Sequence, residues 1–231
     1  MRSFLITRPK LEAEQTGQKI EARGHRAVYA PMIQVISVSF AIPDDARSLI
    51  ITSKNGARFG LSTVENKHRP IFAVGEETAA EAINMGFTNV TAGPGTARGL
   101  IPLLLECGIS QKRDYTHLSG TDISYDIAGA LRDQGLDANH TVTYQAQPHR
   151  VLSPSVQEEM EMGEIDNVLF YSPRTATTFE ETISELGRHD WFSKMNAYCL
   201  SANVAANLLG PWKSVSHSTL PTENALFKLF K

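Results

Sequence analysis

Short apolar runs alternate with segments of helical apolar spacing along almost the whole chain, and this alternation limits the folds open to it more than any other feature. The runs predict strands over 4–7, 27–30, 48–52, 71–74, 89–92, 115–118, 167–171, 197–200 and 214–217. Between them, helices are expected over 11–23, 57–63, 77–85, 97–106, 127–134, 155–162, 176–186, 203–209 and 223–230. Glycines at Gly24, Gly86, Gly108, Gly135, Gly187 and Gly210 stand where helix C-caps belong. Strands and helices in this order bury their apolar faces as mostly parallel sheets flanked by helices, so the expected fold class is α/β.

The 231 residues suit two domains of roughly 100–120 residues each. Two segments interrupt the alternation: Gln34-Val35-Ile36-Ser37-Val38-Ser39-Phe40 and Thr141-Val142-Thr143-Tyr144-Gln145-Ala146. Both are rich in β-branched residues, and no helix separates either from its neighbouring strand. They read as a two-stranded β linker that leaves one domain and returns to it. The first domain is then discontinuous, 1–35 plus 148–231. The second is 36–147, with its linker strands near 34–40 and 141–146. A weak internal repeat agrees: Leu49-Ile50-Ile51-Thr52-Ser53-Lys54 resembles Val168-Leu169-Phe170-Tyr171-Ser172-Pro173, and Phe72-Ala73-Val74-Gly75 resembles Tyr198-Cys199-Leu200-Ser201.

The bulk properties exclude several function classes. With 22 basic and 25 acidic residues and no basic block, a nucleic-acid surface is not expected. An anionic ligand has to be held by local groups rather than by the field of the whole protein. Cys107 and Cys199 lack the spacing of a metal site and are too few for a disulfide framework, so they read as buried thiols in a reducing compartment. The run Phe4-Leu5-Ile6 is too short for a signal peptide or a membrane span, which points to the cytoplasm and to no membrane partner. No segment demands an apolar interface, so a monomer is expected.

The chemistry is expected at the strand ends, because open α/β sheets bind ligands beyond the carboxyl ends of their strands. Those ends carry hydroxyls and glycines: Thr52 and Ser53, Gly75 to Thr78, Ser119 and Gly120, Ser172, Ser201 with Asn203, and Thr222. Each begins a helix, where free N–H groups and the helix dipole can seat a carboxylate. Ordinary N-capping accounts for any one of them taken singly. Their recurrence in both halves favours a ligand with many acidic groups. Arg8, Lys54 and Arg174 stand at strand ends as well and can pair with carboxylates there, although solvated surface charge is their ordinary role. Tyr144 lies in the second linker segment. Its phenol can donate a proton to, or hydrogen-bond, a leaving hydroxide, or it can simply pack against a neighbouring strand.

The sequence holds no Gly-Lys-Ser/Thr phosphate loop, no G-x-S-x-G elbow, no pair of histidines at metal-ligand spacing and no acid–base dyad. An enzyme of this kind works mainly by binding and shaping its substrate.

Taken in order, several motifs resemble the uroporphyrinogen-III synthase family. They are Leu5-Ile6-Thr7-Arg8-Pro9, Ile51-Thr52-Ser53-Lys54-Asn55-Gly56, Ala73-Val74-Gly75 with Thr78-Ala79, Ser119-Gly120, Val142-Thr143-Tyr144, Phe170-Tyr171-Ser172, Cys199-Leu200-Ser201 with Val204-Ala205, and Pro221-Thr222 with Ala225-Leu226. The chain departs from some members at Ser201-Ala202-Asn203-Val204, where those read Gly-Pro-Thr-Thr.

The resemblance implies two α/β domains on a two-stranded ladder, with the active site in the cleft between them. It implies hydroxymethylbilane as substrate, a linear tetrapyrrole with eight carboxylates, closed into a ring with inversion of ring D and loss of water. It implies a lyase of haem biosynthesis that needs no cofactor, with Tyr144 assisting departure of hydroxide. Two other readings use the same architecture: a cytosolic two-domain small-molecule-binding protein without catalysis, and a nucleotide-sugar glycosyltransferase.

Overall fold

The computed structural model describes residues 1–41, 47–111 and 114–230. In chain order the elements are β1 (Ser3–Ile6), α1 (Lys10–Glu21), β2 (Arg26–Tyr29), β3 (Ile33–Ser37), β4 (Ser48–Ile51), α2 (Lys54–Gly60), β5 (Ile71–Ala73), α3 (Glu76–Asn84), β6 (Val90–Ala92), α4 (Ala97–Gln111), β7 (Tyr115–Gly120), α5 (Ile127–Arg132), β8 (Ala138–Pro148), α6 (Pro154–Glu161), β9 (Asn167–Phe170), α7 (Pro173–Glu185), a 3-10 helix (His189–Lys194), β10 (Asn196–Cys199), α8 (Ala202–Ala205), β11 (Ser214–His217) and α9 (Glu223–Phe227). They form two compact units. Unit one comprises Met1–Gln34 and Gln147–Lys231, and unit two comprises Val35–Ala146.

Unit one is built on a five-stranded sheet in the order β11-β10-β9-β1-β2, parallel throughout. Its central strands are apolar at nearly every position because both faces are covered. On β1, Phe4 and Ile6 join Leu169 of β9 in a core completed by Ala13, Ile20, Leu226 and Phe227 from α1 and α9. Leu5 points the other way, with Val168 and Phe170, into a core of Phe179, Ile183, Trp191 and Phe192. Each Leu, Ile, Val or Phe side chain among them, buried completely, contributes about 1.5–3 kcal/mol.

Unit two has a six-stranded sheet in the order β3-β8-β7-β4-β5-β6. The pairs from β8 to β6 are parallel. Leu49 and Ile51 of β4 pack with Ala57, Leu61, Ala79 and Ala82 on one face. Ile50 packs with Phe72, Leu100, Leu104 and Leu131 on the other. The second linker segment belongs to a longer strand than its sequence suggests. β8 has eleven residues, and its first half pairs in register with β7 from Tyr115↔Ala138 onward. The register shifts between Ser119 and Gly120, so Gly120 stands opposite Tyr144 instead of Thr143. Such a bulge re-aims the side chains beyond it.

The α/β class is as expected, with small departures. Gly24, Gly86, Gly135 and Gly187 have φ of 78°, 91°, 82° and 69° and end their helices in the left-handed region. Gly108 does not end one: α4 runs on to Gln111. A Cβ there would sit 2.6 Å from Leu136 Cδ1, so close packing is what requires that glycine. At Gly210 a Cβ would lie 2.8 Å from the Phe192 ring, which is again a packing requirement. α8 is a single turn, Ala202–Ala205, shorter than the pattern over 203–209 predicts. The 3-10 helix carries no periodic signal, yet it buries Trp191 and Phe192.

Candidate active site

In unit two the strand order reverses between β4 and β7, since β4 leads outward to β5 and β6 while the chain returns on its other side as β7 and β8. The carboxyl ends of strands at such a reversal are where open sheets receive ligands. Thr52 and Ser53 follow β4. Ser53 is extended, N-caps α2, and its Oγ accepts the Gly56 N–H at 2.9 Å. The same oxygen lies 3.0 Å from the hydroxyl of Tyr144. The bulge brings that tyrosine over Gly120, where a Cβ would lie 2.6 Å from ring atom Cε2. Phe59 of α2 packs beside the ring with centroids 5.7 Å apart. Residues from β4, β7 and β8 therefore converge on one phenol.

The remaining expected residues of unit two are placed as follows. Gly75 N-caps α3, and Thr78 is buried in that helix's first turn. The Lys54 ammonium pairs with Glu77 at 2.8 Å. Ser119 and Gly120 are the last residues of β7 and, against expectation, begin no helix, since α5 starts at Ile127 with Asp126 as its cap. Ser119 Oγ is 2.7 Å from His140 Nε2, and the Ser119 carbonyl accepts the Thr143 hydroxyl at 3.2 Å.

Two residues that sequence reasoning passed over stand beneath this cluster. His117 and His140 are paired across β7 and β8, with ring centroids 5.4 Å apart and planes inclined by 31°. His117 Nε2 lies 3.0 Å from Thr52 Oγ1. Burial, with a smaller contribution from His140, lowers the His117 pKa to about 4 against the opposing influence of Asp126. A search for metal-ligand spacing does not find this pair, because it exists only through strand register. Among the described residues no group of three His, Cys, Asp or Glu side chains could hold a metal ion.

In unit one the reversal falls between β1 and β9, and here a carboxylate of the chain itself occupies the strand ends. Glu223 Oε1, in the first turn of α9, accepts from Thr16 Oγ1 at 2.7 Å, Tyr171 Oη at 2.9 Å and Arg8 Nη1 at 3.2 Å. Its other oxygen pairs with Lys19. The Arg8 guanidinium also lies over the Tyr171 ring, 4.2 Å from its centroid. Burial works to raise the Glu223 pKa, but the bonds from Lys19, Thr16 and Tyr171 outweigh it and hold the carboxyl below its ordinary value. Tyr171 is pushed up by burial and then by Glu223. Thr16, Tyr171 and Glu223 were not among the expected site residues. The one sequence signal for them is an acidic residue directly after a helix cap, which any helix tolerates.

Ser172, Ser201 and Thr222 are N-caps of α7, α8 and α9, each accepting an N–H three residues on. Ser172 and Thr175 complete a reciprocal capping box. Arg174 in the first turn of α7 and Asn203 in α8 are exposed. Of the two cysteines, Cys199 is buried, with its thiol pushed up to about 12 by burial, and Cys107 is half-buried. Among the described residues no helix is long and apolar enough to cross a membrane.

Fold and strand ends together define an α/β protein of two units, each built on a mostly parallel sheet whose strands run into N-capped helices. The model of the family described as uroporphyrinogen-III synthase HemD matches residues 14–228, and the chain belongs to that family. Among solved structures it is similar to the uroporphyrinogen-III synthetase of Helicobacter pylori, with a TM-score of 0.62 and 19% identity over 99% of this chain and 98% of that one. It is also similar to a mutant uroporphyrinogen III synthase from Thermus thermophilus, with a TM-score of 0.48 and 17% identity over 99% and 96% of the two chains. The first of these shares the fold over nearly the full length of both chains.

Proposed function

We propose that the chain is a uroporphyrinogen-III synthase, a lyase that closes hydroxymethylbilane with inversion of ring D and releases water. The family match over residues 14–228 carries this reading. In the reaction the terminal C–O bond breaks and hydroxide leaves, giving an azafulvene cation. That electrophile is attacked by the already substituted carbon of the last pyrrole. The spiro intermediate so formed fragments and recloses with the last ring turned over. Free substrate also cyclises, to the uninverted isomer, so the protein's task is to hold the chain in the shape that favours the other closure. Positioning of this kind can supply several kcal/mol.

The placement of Tyr144 supports its assisting role. Ser53 Oγ already accepts a backbone N–H, and its own hydrogen can then be given to the phenol oxygen, which leaves the phenol proton for the departing hydroxide. In unit two, Thr52, Ser53, Gly75, Thr78, Ser119 and Gly120 are the proposed substrate contacts, and in unit one Ser172, Arg174, Ser201, Asn203 and Thr222. Lys54 and Arg8 join them by exchanging their resident carboxylates, Glu77 and Glu223, for those of the substrate. The enzyme works as a cytoplasmic monomer.

The test is isomer analysis. Freshly prepared hydroxymethylbilane is incubated with the protein, and the products are oxidised and separated by chromatography. The type III isomer in excess over the spontaneous product is expected. A product identical to the protein-free control would leave only a binding protein.

A further inference from the structure

Below the Tyr144–Ser53 contact, one imidazole ties together the same strands that deliver the two hydroxyls. His117 is on β7, bonds Thr52 at the end of β4 at 3.0 Å, and stacks with His140 on β8 at a centroid distance of 5.4 Å. Thr52 directly precedes Ser53, and Tyr144 lies four residues beyond His140 on the same strand. We propose that His117 is a positioning residue for the reaction, fixing Thr52 and with it the β4–α2 turn so that the Ser53 hydroxyl meets the phenol of Tyr144. This rests on the assisting role of Tyr144.

The polarity of the ring needs an explanation that packing does not supply. His117 is 1% exposed, and its Nδ1 is buried without a hydrogen-bond partner. An apolar side chain of similar size fills the same space without leaving a buried nitrogen unpaired, so the bond to Thr52 is the interaction that requires an imidazole here. It also selects the tautomer. A proton on Nδ1 would bury an unpaired N–H, whereas a proton on Nε2 leaves only an unfilled acceptor. The Nε2–H therefore donates to Thr52 Oγ1.

A threonine hydroxyl held in this way has lost its rotational freedom, and the turn that follows is held again by the Ser53 cap on Gly56. Charging the ring would place a second N–H against no acceptor, beside His140, with Asp126 as the opposing charge. The ring stays neutral near neutral pH, and its single bond is kept throughout the working range.

The test compares His117→Leu, His117→Gln and Thr52→Val with the parent protein. The readouts are steady-state formation of the type III isomer and the 13Cζ resonance of Tyr144 in tyrosine-labelled protein. Loss of one such hydrogen bond should lower kcat about five-fold in His117→Leu and in Thr52→Val, and in His117→Leu, whose side chain is buried away from substrate, KM should stay within about two-fold. The double variant should be no slower than either single one. His117→Gln, which keeps an N–H near the Nε2 position, should recover most of the loss, and the Tyr144 resonance should shift in both bond-breaking variants. Multiplicative losses in the double variant, a loss in His117→Leu confined to KM, or an unmoved Tyr144 resonance overturns the inference. Should His117→Leu fail to fold, Thr52→Val and His117→Gln decide the matter. A parent protein that forms only the uninverted isomer sinks the proposed function instead, and the Tyr144 resonance still reads the positioning.

Discussion

The hydroxyls of Ser53 and Tyr144 meet at 3.0 Å although 91 positions separate them in the chain. Their contact joins a helix cap to a bulged strand, so a disturbance of either element reaches the other. Replacing Tyr144 by Phe removes the phenol and keeps the ring between Phe59 and Gly120. Turnover should fall about ten-fold, the size of one hydrogen bond made in the transition state, while type III product still forms. Stopped assays with product separation measure it. Complete inactivity in a folded Tyr144→Phe protein would contradict catalysis by positioning.

Gly120→Ala should act through the same ring. The added Cβ would come within 2.6 Å of Tyr144 Cε2, so ring or strand must shift. The expected stability loss is about 1–3 kcal/mol. Turnover should fall to near the Tyr144→Phe level, and adding Tyr144→Phe to Gly120→Ala should cause little further loss. Independent, multiplicative effects in a kinetic double-mutant cycle would show that the glycine serves some other purpose.

In unit one, Glu223→Ala removes the acceptor shared by Arg8, Thr16, Lys19 and Tyr171. Two cations and a buried phenol lose their partner together. A loss of about 2 kcal/mol is expected, read as a fall of roughly 4–8 °C in Tm. Glu223→Gln keeps an acceptor for the hydroxyls and should lose less. An unchanged melting curve for Glu223→Ala would mean that the cluster holds nothing together.

The acid limb of the stability profile should carry the signature of His117. Its folded pKa of about 4 lies below the ordinary 6.5, so between those values the unfolded chain binds the proton and the folded chain does not. Stability is therefore complete above pH 6.5 and declines as pH falls toward 4, by on the order of 3 kcal/mol in all. Glu223, held low in the folded state, adds a loss of the same sign at lower pH. Chemical denaturation at a series of pH values tests this. His117→Gln should flatten the decline between pH 6.5 and 4, and an unaltered slope would assign it to other groups.

Much of the fold was legible because parallel strands covered on both faces are apolar at successive positions, as in Leu49-Ile50-Ile51 and Val168-Leu169-Phe170. The helix caps Ser53, Ser172, Ser201 and Thr222 were legible for a local reason, since a hydroxyl and the N–H three residues on need no distant partner. Gly108 misled because a helix stop and a close contact call for the same residue, and only the position of Leu136 separates them.

The sequence by itself determined the α/β class, most of the strands, most of the helix ends and the family. Each of these follows from neighbours in the chain or from motifs in order. Tertiary structure alone decided which polar groups meet: Ser53 with Tyr144, His117 with His140 and Thr52, and Arg8 with Glu223. Those contacts depend on strand order, on register and on one bulge between Ser119 and Gly120, and register is set by packing between strands far apart in the chain.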